Sequence, residues 1–213
     1  MKTILVAGFE PFNGQTVNPA SQILPTLANL SLAGGQIYCH QIPVVGQKAH
    51  AKLLQLIDRY QADVVIVLGQ AAGRPDITLE RVAINVDDFP IADNAGQQPL
   101  DQAIVEDGPA AYFSTLPIKH MRQAIVKKGI AASISNTAGT FVCNHVLYAL
   151  LHSQRDREVQ VGFIHLPLLP EQTESTNKPS MVLSEQALGI QSAIAALFST
   201  PEIEVQVITG SQC

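Results

Sequence analysis

Charge is scarce in this 213-residue chain: Asp, Glu, Lys and Arg together make up 15% of it, and the net balance is −5. No basic stripe is present, which disfavours a nucleic-acid partner, because phosphate recognition leaves a positive footprint. Cysteine is scarce too. Three of them, Cys39, Cys143 and Cys213, are too few for a disulfide scaffold and fit a reducing, cytoplasmic setting. No apolar run approaches the length of a membrane span. The opening MKTILVAGFEPF has only a brief apolar run before Gly8 and Glu10, which reads as a strand and not as a signal peptide. Templates for several chemistries are missing as well: there is no GxSxG elbow, no Walker sequence, no GxGxxG after a strand, and no HxxxH or CxxC to hold a metal. The stretch AGFEPFNG (7–14) presents two phenylalanines and a glutamate, a composition better suited to an apolar ring than to an anion.

What is present is apolar surface: 46% of the residues are hydrophobic, enough for a sizeable core in one domain over 1–213. Short apolar runs alternate with helical patterns. TILVAG (3–8), QIYCHQIPVV (36–45), DVVIVLG (63–69), ITLERVAINV (77–86), IAASIS (130–135) and EVQVGFIHLPLLP (158–170) read as strands, with EIEVQVIT (202–209) as a terminal edge strand. Asn18-Pro19 has the form of a helix cap followed by proline at the first helical position, and Pro25 predicts a kink or an early break. Helices are expected over 46–60, 116–129, from about 141, and over 183–198, and the polar stretch from 87 to 109 is a long excursion containing a hairpin. The alternation indicates an α/β fold, a three-layer α/β/α sandwich with a twisted, largely parallel central sheet. Sites in such sheets lie beyond the carboxyl ends of the strands.

Cys143 follows a run of small turn-forming residues, SNTAGT, where a helix begins and where Gly139 permits a left-handed backbone. A helix start favours thiolate and aims free N–H groups at a developing oxyanion. A buried structural cysteine fits the position equally well. His165 ends the run VGFIH just before proline stops the strand, which puts it at the sheet rim where Cys143 is expected; a core histidine satisfied by backbone is the alternative. Glu80 interrupts an apolar strand and needs a partner, either His165 or an arginine such as Arg81. Asp63 and Asp76 are weaker candidates for the carboxylate. His145 lies roughly 200° around the helix from Cys143 and shares a polar stripe with His152, so both are assigned to a solvated or interface face. His40, His50 and His120 have no partner legible in the sequence.

The blocks GFEPFNG…NPA, LGQAAGRPDITLERVAIN, DGPAAYFSTLPIK, SNTAGTFVCNHVLY and GFIHLPLLPEQ, in order from Gly8 to about Gln172, resemble the pyroglutamyl peptidase I family. The resemblance implies a cytosolic cysteine exopeptidase, a homotetramer without metal or cofactor, that removes N-terminal pyroglutamate from peptides. It maps the family's catalytic residues onto Glu80, Cys143 and His165, and its pocket onto Phe9, Phe12, Gln70 (for the lactam), Phe141 and Val142. One departure stands out. DDFPIADN replaces the family's DDARIPDN, so that Pro90 occupies the place of an arginine associated with the oxyanion side. The departure predicts reduced or altered activity and raises two rivals: a lactam-binding protein without turnover, and a hydrolase of another cyclic amide.

Overall fold

A computed structural model of the chain describes residues 1–199 and Gly210; the edge strand expected over 202–209 and Cys213 lie outside the described residues. Among the described residues, eight strands and six α-helices follow one another: β1 (Lys2–Phe9), α1 (Pro19–Gln22), α2 (Leu24–Ala28), β2 (Gly35–Ile42), α3 (Gly46–Tyr60), β3 (Val64–Gln70), β4 (Ile77–Glu80), β5 (Val82–Ile84), β6 (Ala111–Phe113), α4 (Ile118–Val126), β7 (Ala132–Ser135), α5 (Val142–Gln154), β8 (Gln160–Leu166) and α6 (Leu183–Ala196). Six strands form the central sheet in the order β2-β1-β3-β8-β4-β7, with β5 and β6 a separate antiparallel pair.

The local signals act as their chemistry requires. Asn18 caps α1 by accepting the Ala20 N–H at 2.9 Å, and Pro25 in the first turn of α2 restarts the helix after a break at Ile23. The stretch 77–86 is not one strand. It breaks at Arg81, so β4 stays in the central sheet while β5 leaves it to pair with β6. Between β5 and β6, the long excursion is pinned by an antiparallel bridge between Asp87 and Gln102.

Alternation along the strands divides the core in two. Ile4 and Val6 of β1, Val64, Ile66 and Leu68 of β3, Ile77 and Leu79 of β4, and Ile164 and Leu166 of β8 face α1, α2, α4 and α6. Leu5, Ala7 and Phe9, Val65 and Val67, and Val161 and Phe163 face α3 and α5. With period two, Gly69, Thr78, Glu80 and His165 also belong to the α3/α5 side. That parity brings the polar residues of three strands to one face.

The sheet is mixed. β2, β1, β3 and β8 run parallel, whereas β4 runs antiparallel to β8 and carries β7 with it. The expectation of a largely parallel sheet holds for every pairing except β4 with β8. That exception matters for the site.

Candidate active site

Cys143 is the second residue of α5, whose N-terminal flank is Phe141 in extended conformation. β7 is an edge strand, and the loop 136–141 carries the chain over that edge onto the α3/α5 face, with Gly139 at φ 78° as the turn demands. Helix α5 then lies along the sheet, and its first turn meets the end of β3. The Sγ of Cys143 sits over Gly69, 3.2 Å from where a Cβ at that position would be. Gly69 is the register partner of His165 on the neighbouring strand. Side chains of register partners share a face, so the sulfur and the imidazole are neighbours.

His165 is 4% exposed and Glu80 is fully buried. His165 Nδ1 bonds Glu80 Oε1 at 2.7 Å, leaving Nε2 free. Antiparallel pairing sets Thr78 opposite His165, so Glu80, two residues on, lies diagonally behind the imidazole. The rim position expected for Cys143 and His165 does not extend to Glu80. Cys143 and His165 stand at the rim, and Glu80 approaches from inside the sheet. Glu80 also accepts a hydrogen bond from Arg74, whose second nitrogen donates to the Thr137 carbonyl at 3.1 Å. The two partners weighed for Glu80 from the sequence, a histidine and an arginine, are both present, the arginine being Arg74.

Electrostatics differs from the helix-start expectation. Burial pushes the Cys143 thiol up to about 12, with the Glu80 charge adding to the effect and Arg74 and the backbone N–H of Cys143 opposing it. Desolvation thus outweighs those two opposing groups and favours the thiol form. For Glu80, burial opposes ionisation. The hydrogen bond and charge of His165, the Ser135 hydroxyl and Arg74 overcome it and hold the carboxyl below its ordinary value.

Two cavities adjoin this corner. The larger, about 380 Å³, is polar and lined by Gln47, Asp87, Asp93, Gln97 and His145 among others; it contains no nucleophile. The smaller, about 20 Å³, is a narrow apolar slot bordered by Cys143 itself, together with Phe9, Phe12, Asn18, Val44, Gln70, Phe141 and Val142. Chemistry belongs with the thiol, so the slot is the relevant one despite its size. All five pocket residues expected from the resemblance line it. Val44 and Asn18 also line it and were not anticipated, Asn18 being already committed to its helix cap and to the Glu10 carbonyl; behind the slot, Phe89 packs edge-on against Phe141 with ring centroids 4.7 Å apart. Gln70 Oε1 accepts from Gln172 Nε2 at 2.8 Å, which leaves the Gln70 amide nitrogen for the slot.

Of the two settings weighed for His145 and His152, the solvated one does not hold. His145 is buried and bonds Asp87 at 2.7 Å, and His152 is partly buried and bonds the Tyr112 hydroxyl at 2.9 Å. Neither is a solvated stripe, because the β5–β6 pair and the 85–102 loop cover the outer side of α5. His40, His50 and His120 find partners across elements in Tyr60, Ser153 and Ser199. Asp63 accepts the Thr3 N–H and Asp76 lies beside the Thr78 hydroxyl, both of them contacts local to strand starts.

The family model for pyroglutamyl peptidases matches residues 2–200. The chain belongs to the pyroglutamyl peptidase family. A pyrrolidone-carboxylate peptidase of Vibrio parahaemolyticus is 48% identical over the whole of both chains, and one of Bacillus cereus is 45% identical over 99% of each. Among solved structures, pyroglutamyl peptidase I of Bacillus amyloliquefaciens superposes with a TM-score of 0.89 at 41% identity, covering 92% of this chain and 96% of that one. Pyrrolidone carboxyl peptidase of Thermococcus litoralis gives a TM-score of 0.90 at 34% identity, covering 97% of this chain and all of that one. Family membership at this level gives no support to a lactam-binding protein without turnover. The loop carrying Pro90 is anchored at the two residues before it. Asp88 exchanges two hydrogen bonds with Thr140, Phe89 N–H donates to the Pro99 carbonyl, and the Phe89 carbonyl accepts from Gln98. Pro90 itself is exposed.

Proposed function

We propose that this chain hydrolyses the amide bond after an N-terminal pyroglutamyl residue of peptides, with Cys143 as nucleophile, His165 as acid and base, and Glu80 as the carboxylate that orients His165. The observation that carries this reading is the Glu80–His165 hydrogen bond beside a sulfur seated over Gly69.

His165 Nε2 takes the thiol proton as sulfur attacks the pyroglutamyl carbonyl, so that thiolate and imidazolium form together and burial of a free thiolate is avoided. The carbonyl oxygen becomes an oxyanion facing the unpaired N–H groups at the start of α5, that of Cys143 included. Collapse expels the peptide amine, which receives its proton from His165. The thioester is then attacked by water, whose proton passes to His165 and on to the departing sulfur. Glu80 fixes the tautomer and stabilises the imidazolium without taking the proton.

The slot suits a lactam. No carboxylate lines it, so an N-terminal ammonium would lose its hydration without compensation. A pyroglutamyl ring has no such charge. Its apolar edge fits between Phe9, Phe12, Phe141 and Val142, and Gln70 serves the lactam polar groups. Family membership, with the resemblance, supports a single domain over 1–213, a cytoplasmic setting and a homotetramer. Phe113, 72% exposed on the β5–β6 pair, is an apolar surface consistent with assembly, which sedimentation of the purified protein measures.

The direct test is release of a chromogenic pyroglutamyl amide by the wild type and by Cys143→Ala. The wild type turns the substrate over and the alanine variant does not. Equal rates in the two would overturn the mechanism.

A further inference from the structure

Arg74 belongs to neither the slot nor the acid–base pair, yet it touches the supports of both. It sits in the loop between β3 and β4 with its side chain 29% exposed, and one guanidinium nitrogen donates to Glu80 Oε1, the same oxygen that His165 uses. The other nitrogen donates to the Thr137 carbonyl, in the loop that delivers Cys143. Thr137 is held besides by Ser135: its N–H and its carbonyl both bond the Ser135 hydroxyl, at 3.1 and 2.8 Å. Ser135 is in turn the register partner of Glu80. The carboxylate and the nucleophile's loop are thus tied together at one point.

We propose that Arg74 is a positioning residue, whose planar fork fastens the Glu80 carboxylate to the Thr137 carbonyl and so fixes the carboxylate and the Cys143 segment in one arrangement. This rests on the Cys143–His165–Glu80 reading above. An ordinary surface ion pair would add little. Here the partner carboxylate is fully buried and the guanidinium's two contacts belong to different chain segments. A lysine has one nitrogen on a flexible stem and cannot reproduce a planar two-pronged contact.

Arg74 also has an electrostatic role. The charged groups acting on the thiol are Glu80 from β4, which raises its pKa, and Arg74 from the preceding loop, which lowers it. Glu80 in turn faces His165 from β8, Ser135 from β7 and Arg74. Removing the guanidinium takes one positive charge from beside the Glu80–His165 pair. The thiol then gives its proton up less readily.

The test uses the full chain as wild type, Arg74→Met and Arg74→Lys, with kcat and KM for a pyroglutamyl amide measured across pH and melting temperature recorded for each. Arg74→Met is expected to lose about 10- to 100-fold in kcat, the scale of a misplaced reacting group, with KM within about threefold. Its acid limb in kcat/KM is expected to move to higher pH. Arg74→Lys keeps the charge and is expected to keep the wild-type limb while recovering only part of kcat. A wild-type kcat and limb in Arg74→Met overturns the proposal. So does a loss of rate that follows melting temperature alone with no change of limb in either variant, which would mark a merely structural arginine. Failure here is separable from failure of the underlying reading, because Cys143→Ala tests the nucleophile independently of Arg74.

Discussion

Replacing Gly69 by alanine adds one methyl group at the point where strand, sulfur and aromatic core meet. That methyl would stand 2.7 Å from a ring carbon of Phe163 and 3.2 Å from Cys143 Sγ. Unstrained carbon contacts begin at roughly 3.5 Å, so the overlap with the ring is about 0.8 Å. Phe163 is 1% exposed, with Phe9 at 6.2 Å and His165 at 4.7 Å between ring centroids, and has nowhere to go. The ring must therefore press on His165, or β3 must draw away from it and from the sulfur, and either movement changes the spacing of sulfur and imidazole. Overpacking of this kind costs about 1–3 kcal/mol. A sulfur displaced on the order of 1 Å costs about 100-fold in rate. Gly69→Ala is therefore expected to fold, to lose about 1–3 kcal/mol in urea titration, and to hydrolyse a pyroglutamyl amide about 100-fold more slowly, chiefly through kcat. Wild-type kcat with unchanged stability would refute the placement of the thiol over Gly69, and with it the juxtaposition of sulfur and imidazole.

Three further outcomes follow from neighbouring contacts. Asn144 is fully buried and bonds the Ile84 N–H and the Ile84 and Val86 carbonyls at 2.9–3.0 Å; Asn144→Ala orphans all three, and chemical denaturation should register a loss of about 3 kcal/mol or more. Glu80 has a folded pKa held below its ordinary 4.5, so its contribution to stability is complete above about that pH and is lost as pH falls through the lower folded value. The stability gap between wild type and Glu80→Gln, about 3–5 kcal/mol for breaking a buried pair, should be flat at neutral pH and close in acid; a gap independent of pH would refute the ionised assignment. Pro90 is exposed on an anchored loop, so Pro90→Arg should leave stability within about 0.5 kcal/mol and pyroglutamyl amide hydrolysis within about threefold, a factor worth about 0.6 kcal/mol of barrier; a 100-fold gain would show that an arginine is missing from the chemistry.

Local signals carried much of this structure in the sequence. Gly46 to Tyr60 reads as a helix because Leu53, Leu56 and Ile57 recur on one face, and the observed α3 has those bounds. The Asn18 cap and the break near Pro25 are equally local. What the chain order hid was direction and covering. ITLERVAINV looks like one strand, since nothing in it announces that β5 will leave the sheet at Arg81. His145 looks exposed by helical geometry, because the residues that cover it, Asp87 and its loop, are 58 positions away in sequence. Arg74 is close to Glu80 in sequence, but its second contact, to Thr137, is fixed only by how β4 and β7 pair.

The direction of β4 has a chemical consequence. An imidazole has its two nitrogens on opposite sides of the ring, so a carboxylate that orients one must stand across the ring from the group that the other serves. With β4 antiparallel to β8 and Thr78 opposite His165, the next same-face residue along β4 lies level with Phe163, deeper in the sheet. Glu80 meets Nδ1 there without exposure to solvent, and Nε2 is left uncommitted. Had β4 run parallel in the same register, that residue would lie level with Pro167, past the end of β8. A site beyond the carboxyl ends of parallel strands explains where Cys143 and His165 stand. The one reversed pairing explains how the third group reaches Nδ1 from within the sheet.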